Sequence, residues 1–255
     1  MDIIQSIKEK LNEIERTENV HIIMAVESGS RSWGFESPDS DYDVRFIYVR
    51  KTEDYLKLVP VRDVIEWQLD DVYDISGWDL KKALLLLSES NPTMHEWCKS
   101  PIVYKESQLA QPLRELTREC FLPKKLLYHY VSMAENNYRT HLTGEKVRLK
   151  KYFYALRPVL AAHWVVEDQS APPMLFEDLV DAKLPPELLP IVQKLLKQKR
   201  QTSELGSGEH IPELDAYIHG EIEILKQLAA QQENRKNDWA KLDAFFQSAV
   251  LESGQ

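Results

Sequence analysis

Residues 28–48 read SGSRSWGFESPDSDYDVRFIY, and the fold is decided by how this stretch joins two apolar runs. His21 to Glu27 (HIIMAVE) leads into it and stops at Ser28-Gly29-Ser30. A run of that length and character is a buried strand. Asp41 to Arg50 (DYDVRFIYVR), rich in β-branched and aromatic residues, is a second strand. Side chains alternate faces along a strand. Asp41, Asp43 and Arg45 therefore share one face, while Tyr42, Val44 and Phe46 share the other and can bury. Adjacent carboxylates each disfavour ionisation of the other, and a divalent cation removes that conflict. Oxygen-only donors suit Mg²⁺, which typically takes one or two carboxylates and completes its shell with substrate phosphates. Mn²⁺ is the expected substitute.

The Gly-Ser element supplies the complementary half. A strand ending at Gly29, followed by a turn from Ser30, directs backbone N–H groups at an anion. Gly29 permits close approach, and the Ser30 hydroxyl can donate to a terminal phosphate. Arg31 and Arg45 are further candidates for triphosphate contact. A phosphate cradle beside a metal-binding carboxylate pair is what nucleotidyl transfer needs. A two-metal version wants a third carboxylate. Asp74, in the strand-like run Val72 to Trp78, is the candidate, because an acid inside such a run is costly to bury unless paired or metal-bound. The alternative is an edge-strand acid facing water.

Further out, Val64–Leu69 and Val72–Trp78 flank Asp70-Asp71 as a tight hairpin. Asp79 caps LKKALLLLSES, Asn91-Pro92 opens TMHEWCKS, and Pro101–Tyr104 is a short fifth strand. Pro123–Leu142 and Glu145–Glu167 read as long helices. Gly206-Ser207-Gly208 reads as a loop, Ile211–Ala230 as a helix, and a last helix frays at Ser253-Gly254-Gln255. That helix is either an interaction surface or a solvated cap. Strands first and helices second is an α+β arrangement: a small mixed-sheet domain over residues 1–105, then an all-helical domain over 106–255.

Among the 255 residues the net charge is −9, which discourages indiscriminate polyanion binding. Between Pro123 and Pro158, however, eight Lys/Arg stand against two acids, which points to a localised anion site. Lys150, Tyr154 and Arg157 fall on one helical face there, with Lys151 beside them; the alternative is a basic face whose stems cover the core. No apolar run approaches a membrane span or a signal peptide. Cys98 and Cys120 have no zinc or disulfide spacing, and they read as reduced core residues of a cytoplasmic protein. His95-Glu96 begins H-E-x-x-H, but position 99 is Lys.

The order apolar strand, Gly-Ser, Asp-x-Asp, then an acid in a later strand resembles the polymerase-β-type nucleotidyltransferases. The strings GSRSWGFESPDSDYDVRFIYV, ISGWDLKKALLLLSESNP, EWCKSPIVY and LKKYFYALRP are similar to a family of predicted nucleotidyltransferases associated with RNA ligases in RNA-repair operons. The resemblance covers nearly the whole chain. It implies a nucleotidyltransferase domain with an appended helical domain, an NTP such as ATP as donor, an RNA end as acceptor and an RNA ligase as pathway partner. It also implies that a basic helix reaches the β- and γ-phosphates, which Lys150, Lys151 and Arg157 would do, with Tyr154 near the base or sugar. A protein or small-molecule acceptor, and a non-catalytic nucleotide- or RNA-binding partner of a ligase, are the other readings. A metal-dependent glycosyltransferase would use the Asp-x-Asp but leave the Gly-Ser element idle.

Overall fold

The computed structural model describes residues 2–201 and 206–253. An opening helix, α1 (Ile3–Glu18), is capped by Asp2, whose carboxylate accepts from the N–H of Ile4, and it ends at a left-handed Asn19. Its Ile7, Leu11 and Ile14 recur at helical spacing and are fully buried. They lie on one face of a five-stranded mixed sheet.

That sheet is formed by β1 (Val20–Glu27), β2 (Tyr42–Arg50), β3 (Val64–Leu69), β4 (Tyr73–Asp79) and β5 (Val103–Glu106) in the order β3-β4-β2-β1-β5. Only β2 and β4 pair parallel; the other neighbours are antiparallel. The expected Asp70 turn closes β3 onto β4, with the Asp70 carboxylate accepting from the N–H groups of Val72 and Tyr73. A one-turn helix α2 (Gly29–Ser32) follows β1, and a second, α3 (Thr52–Tyr55), follows β2.

The second sheet face is covered by α4 (Leu80–Ser88), α5 (Pro92–Lys99), α6 (Ala110–Glu119) and the final helix of the chain. Asp79 and Asn91 cap α4 and α5 as expected. The helical half contains α7 (Pro123–His141), α8 (Lys150–Asp168), α9 (Phe176–Lys183), α10 (Leu189–Gln201) and α11 (Pro212–Gln231) around a separate core. The last helix, α12 (Trp239–Ser253), returns to the sheet side, where Leu242, Ala249 and Val250 join the core beneath α4 and α6. It is thus a packing element of the first unit, and the apolar clusters do not divide at residue 105. Gly254 and Gln255, expected to fray, lie outside the described residues.

Helix α8 begins at Lys150 rather than Glu145. Val147 and Arg148 pair as a short strand, β6, with β7 (Ser207–Gly208), where a loop was expected. Val147 is fully buried, and its extended pairing forestalls an earlier helix start.

His95 supplies a pH test of the sheet-side core. It is 2% exposed, and among the described residues its Nε2 has no hydrogen-bond partner. Burial, and then the charge of Lys99, push its pKa down from 6.5 to about 4. The unfolded chain therefore binds a proton that the folded chain refuses. Stability from this group is intact above pH 6.5 and is lost as pH falls towards 4, on the order of 2–3 kcal/mol. The difference in urea midpoint between wild type and His95→Met is expected to shift in the variant's favour from pH 7 to pH 5. A pH-independent difference would contradict this.

Candidate active site

Ile47 and Val49 of β2 are buried beneath the sheet-side helices, whereas Asp43 and Arg45, on the same strand face, are left uncovered by that core. Val44, Phe46 and Tyr48 face α1 instead. The expected alternation holds from Tyr42 onward; Asp41 precedes the strand, at the end of the loop that returns from α2.

Gly29 has φ +61°, a left-handed conformation, and a Cβ there would stand 2.1 Å from Oδ2 of Asp43. Both facts demand glycine. The adjacent Ser28 N–H donates to the Asp43 carbonyl at 2.8 Å. Gly29→Ala must therefore move the Asp43 carboxylate as well as strain the turn, and if the site is catalytic its rate should fall about 10²-fold, with a smaller loss of stability. A Gly29→Ala variant within threefold of the wild-type rate would contradict that geometry.

Ser30 is buried, and its hydroxyl donates to Ser40 Oγ at 3.2 Å. Arg31 is committed to the loop. Its Nε donates to the Asp41 carbonyl at 2.9 Å, and its guanidinium stacks 3.9 Å from the Tyr42 ring centroid. Arg31 thereby ties Asp41 to the mouth of β2.

Asp74 lies opposite Asp43 in the parallel β2–β4 pair. Arg45 sits between them. Its Nη2 donates to Asp43 Oδ1 at 3.0 Å and to Asp74 Oδ2 at 2.5 Å, and its Nη1 donates to Asp74 Oδ1 at 3.0 Å. Both Asp74 oxygens are thereby engaged by a guanidinium. The three acids are neighbours, but among the described residues no three His, Cys, Asp or Glu side chains converge to hold a metal ion. Arg45 pairs with acids of its own chain. Asp43 is pushed up to about 6, chiefly by burial, with Arg45 opposing and Asp41 and Asp74 adding to the rise.

The helical half supplies the opposite wall. The Tyr154 hydroxyl is raised by burial and then by the charges of Asp43 and Asp41, so it lies within electrostatic reach of the acid pair. Its ring meets Trp33 edge-on at 5.7 Å, and the Lys151 amine lies 4.9 Å from its centroid. Lys150 is near enough to Lys199 to help lower that amine, after burial, to about 8. Lys199 was not expected. Its Nζ donates to the Phe35 carbonyl at 2.6 Å, fixing the loop that leads to Asp41. It falls on the apolar stripe of α10 with Val192, Leu195 and Leu196, so helical periodicity marks it as buried.

Arg157 is not brought to the acids. It is 2% exposed, pairs with Glu96 at 2.7 Å and stacks 4.5 Å from the Trp33 ring centroid. On α8 it faces α5, tying the two halves together.

Glu27 was also missed. It is fully buried at the end of β1; its Oε1 accepts from the Asp43 N–H at 2.8 Å and its Oε2 from the Tyr104 hydroxyl. Burial pushes its carboxyl up to about 7. The legible signal was an acid closing the unbroken apolar run Ile22 to Val26. Two cavities, of about 510 Å³ beside α5 and α6 and about 530 Å³ near Tyr55, are lined by none of these residues.

Residues 3–248 match the family described as the RNA repair pathway DNA polymerase beta family. "Uncharacterized protein YcgL" of Bacillus subtilis (strain 168) is 45% identical over 236 residues, spanning 92% of this chain and 91% of that protein. A solved nucleotidyltransferase-like protein from Exiguobacterium sibiricum 255-15 aligns with 97% of this chain and 77% of its own length, at 17% identity and a TM-score of 0.30.

Proposed function

The chain belongs to the RNA repair pathway DNA polymerase beta family, and from that premise we propose that it transfers a nucleoside monophosphate from an NTP to a hydroxyl at an RNA end, with Mg²⁺. The observation that carries this reading is the seating of Gly29 against the Asp43 carboxylate, with φ +61° and no room for a Cβ. A structural acid pair has no need of a backbone turn pressed against it. A site that presents a carboxylate and a phosphate cradle to one ligand does.

Asp41 and Asp43 would hold the metal. Their donor chemistry fits, since two neighbouring carboxylates, of which Asp43 is pushed up by burial and further by the charge of Asp41, suit a cation that finishes its shell with phosphate oxygens. Bound there, Mg²⁺ would offset triphosphate charge and polarise the attacked phosphoryl group. Lys150 and Lys151 neutralise the outer phosphates, and Tyr154 and Trp33 offer aromatic surface to the base or sugar. A second metal would require Asp74 to release Arg45. The number of Mn²⁺ ions bound per chain in the presence of a non-hydrolysable NTP decides between one and two.

The test uses labelled NTPs, Mg²⁺ and an RNA oligonucleotide with a free 3′ hydroxyl. Extension of the RNA by the wild type, lost in the Asp41→Ala, Asp43→Ala double variant, is expected. Label on protein or on a small molecule alone would reassign the acceptor. NTP binding without turnover over any acceptor would leave a binding partner of a ligase. The described helices include none long and apolar enough to cross a membrane.

A further inference from the structure

Asp43 is held by three consecutive residues of the β1 terminus. The side chain of Glu27 accepts its main-chain N–H, the N–H of Ser28 donates to its carbonyl, and Gly29 abuts its carboxylate. The last two contacts belong to the strand and turn geometry of the Gly-Ser element. The first does not. It employs a carboxylate that is 0% exposed, at a position where an apolar side chain would avoid the desolvation of a charge.

We infer that Glu27 is a positioning residue for Asp43: its carboxylate fixes the Asp43 peptide, and through it the direction of the metal-facing side chain. The inference rests on the reading above, in which Asp43 is a metal ligand.

Three features fix the role. Glu27 does not face the site. It follows Val26, which packs under the sheet-side helices, so alternation turns it toward Ala25 and Tyr104 on the α1 face. The Asp43 carboxylate lies on the opposite face, so the direct contact Glu27 makes with this residue is the hydrogen bond to its backbone. Glu27 is itself immobilised. The Tyr104 hydroxyl donates to its Oε2, its own N–H donates to the Ile102 carbonyl at 2.9 Å, and its carbonyl accepts from Ser100 Oγ at 2.7 Å. Each of those partners lies on the segment from the end of α5 into β5. The edge strand and its preceding turn are thereby coupled to the orientation of Asp43. An outer partner of this kind typically changes metal affinity 10- to 100-fold when removed.

The test separates reach from charge and from mere packing. A glutamine keeps an acceptor for the Asp43 N–H and can donate to Tyr104. An aspartate keeps the acid but falls one methylene short. A methionine fills the volume with neither. Mn²⁺ affinity of the full chain, read by electron paramagnetic resonance of free Mn²⁺, is expected to stay within about threefold of wild type in Glu27→Gln. It is expected to weaken about tenfold or more in Glu27→Met and Glu27→Asp. In the transfer assay those two variants are expected to lower kcat with the KM for NTP changed by less than threefold. Should Glu27→Met not fold, Glu27→Asp decides. A folded Glu27→Asp that binds Mn²⁺ as wild type does, while Asp43→Asn loses binding, would overturn the inference alone. Unchanged Mn²⁺ binding in Asp43→Asn would overturn the metal reading beneath it. Equal weakening in Glu27→Gln and Glu27→Met would also overturn the inference, since the hydrogen bond would then carry nothing.

Discussion

Asp43→Asn is expected to slow nucleotidyl transfer by about 10³-fold or more, the scale of losing a principal electrostatic contributor, while making the protein more resistant to urea at pH 8. The two effects have opposite signs for one reason. Asparagine has the shape of aspartate, fits against Gly29, and keeps an oxygen for Arg45 Nη2. What it removes is a charge held in a place that disfavours it. The folded-state pKa, about 6, lies above the ordinary 3.8, with burial as the leading cause. The folded chain therefore holds the proton more tightly than the unfolded chain. Stability declines as pH rises from about 4 through 6, and the decline is complete by pH 8. A residue that does not titrate escapes it, a gain on the order of 1–2 kcal/mol. Urea midpoints at pH 5 and pH 8 read the stability half; labelled-NTP transfer reads the other. A variant within tenfold of the wild-type rate would remove Asp43 from the site. A variant less stable than wild type at pH 8 would make Asp43 a structural partner of Arg45 instead.

What could be read from the chain in advance follows the range of the forces involved. The two strands around residues 28–48, the Asp70 turn and the caps at Asp79 and Asn91 depend on neighbours a few residues away, and they stand where they were expected. The mixed sheet followed by helices was equally legible, because burial periodicity is local. Partners distant in sequence were not. Arg31, Arg45 and Arg157 are all cations near phosphate-binding signals, and composition cannot say which acid or carbonyl will claim each. Arg31 is claimed by carbonyls of the loop before β2, and Arg45 by an acid 29 residues away. Arg157 is claimed by a glutamate 61 residues away. The β6–β7 pairing, which delays α8, joins residues nearly 60 apart and leaves no local trace. For Glu27 the trace was present, as an acid that closes the apolar run Ile22 to Val26.

The largest stability effect is expected at Arg157, where the helical face predicted a triphosphate ligand and the fold supplies an internal ion pair. Glu96 is 11% exposed, accepts from Arg157 Nη1 at 2.7 Å, and receives a long contact of 3.4 Å from the buried Tyr130 hydroxyl. The Arg157 Nη2 reaches the Met174 carbonyl, and its guanidinium covers Trp33, which in turn meets Tyr154. One side chain thus links α5, α7, α8, the segment before α9 and the loop behind Gly29. Arg157→Met leaves the Glu96 carboxylate desolvated with only the tyrosine, a situation that typically costs about 3–5 kcal/mol. For a chain of this size that corresponds to roughly 10 °C in Tm. Adding Glu96→Leu removes the stranded charge, and an apolar pair in place of a buried ion pair is often neutral or better. The double variant is therefore expected to recover most of the lost stability. Thermal denaturation of the wild type, both single variants and the double variant measures the coupling. Below the Tm of Arg157→Met, the KM for NTP should remain within about threefold of wild type, because this guanidinium does not face the acids. A variant of wild-type stability whose KM for NTP rises tenfold would return Arg157 to the phosphates and would mean that the Glu96 pair opens when nucleotide binds.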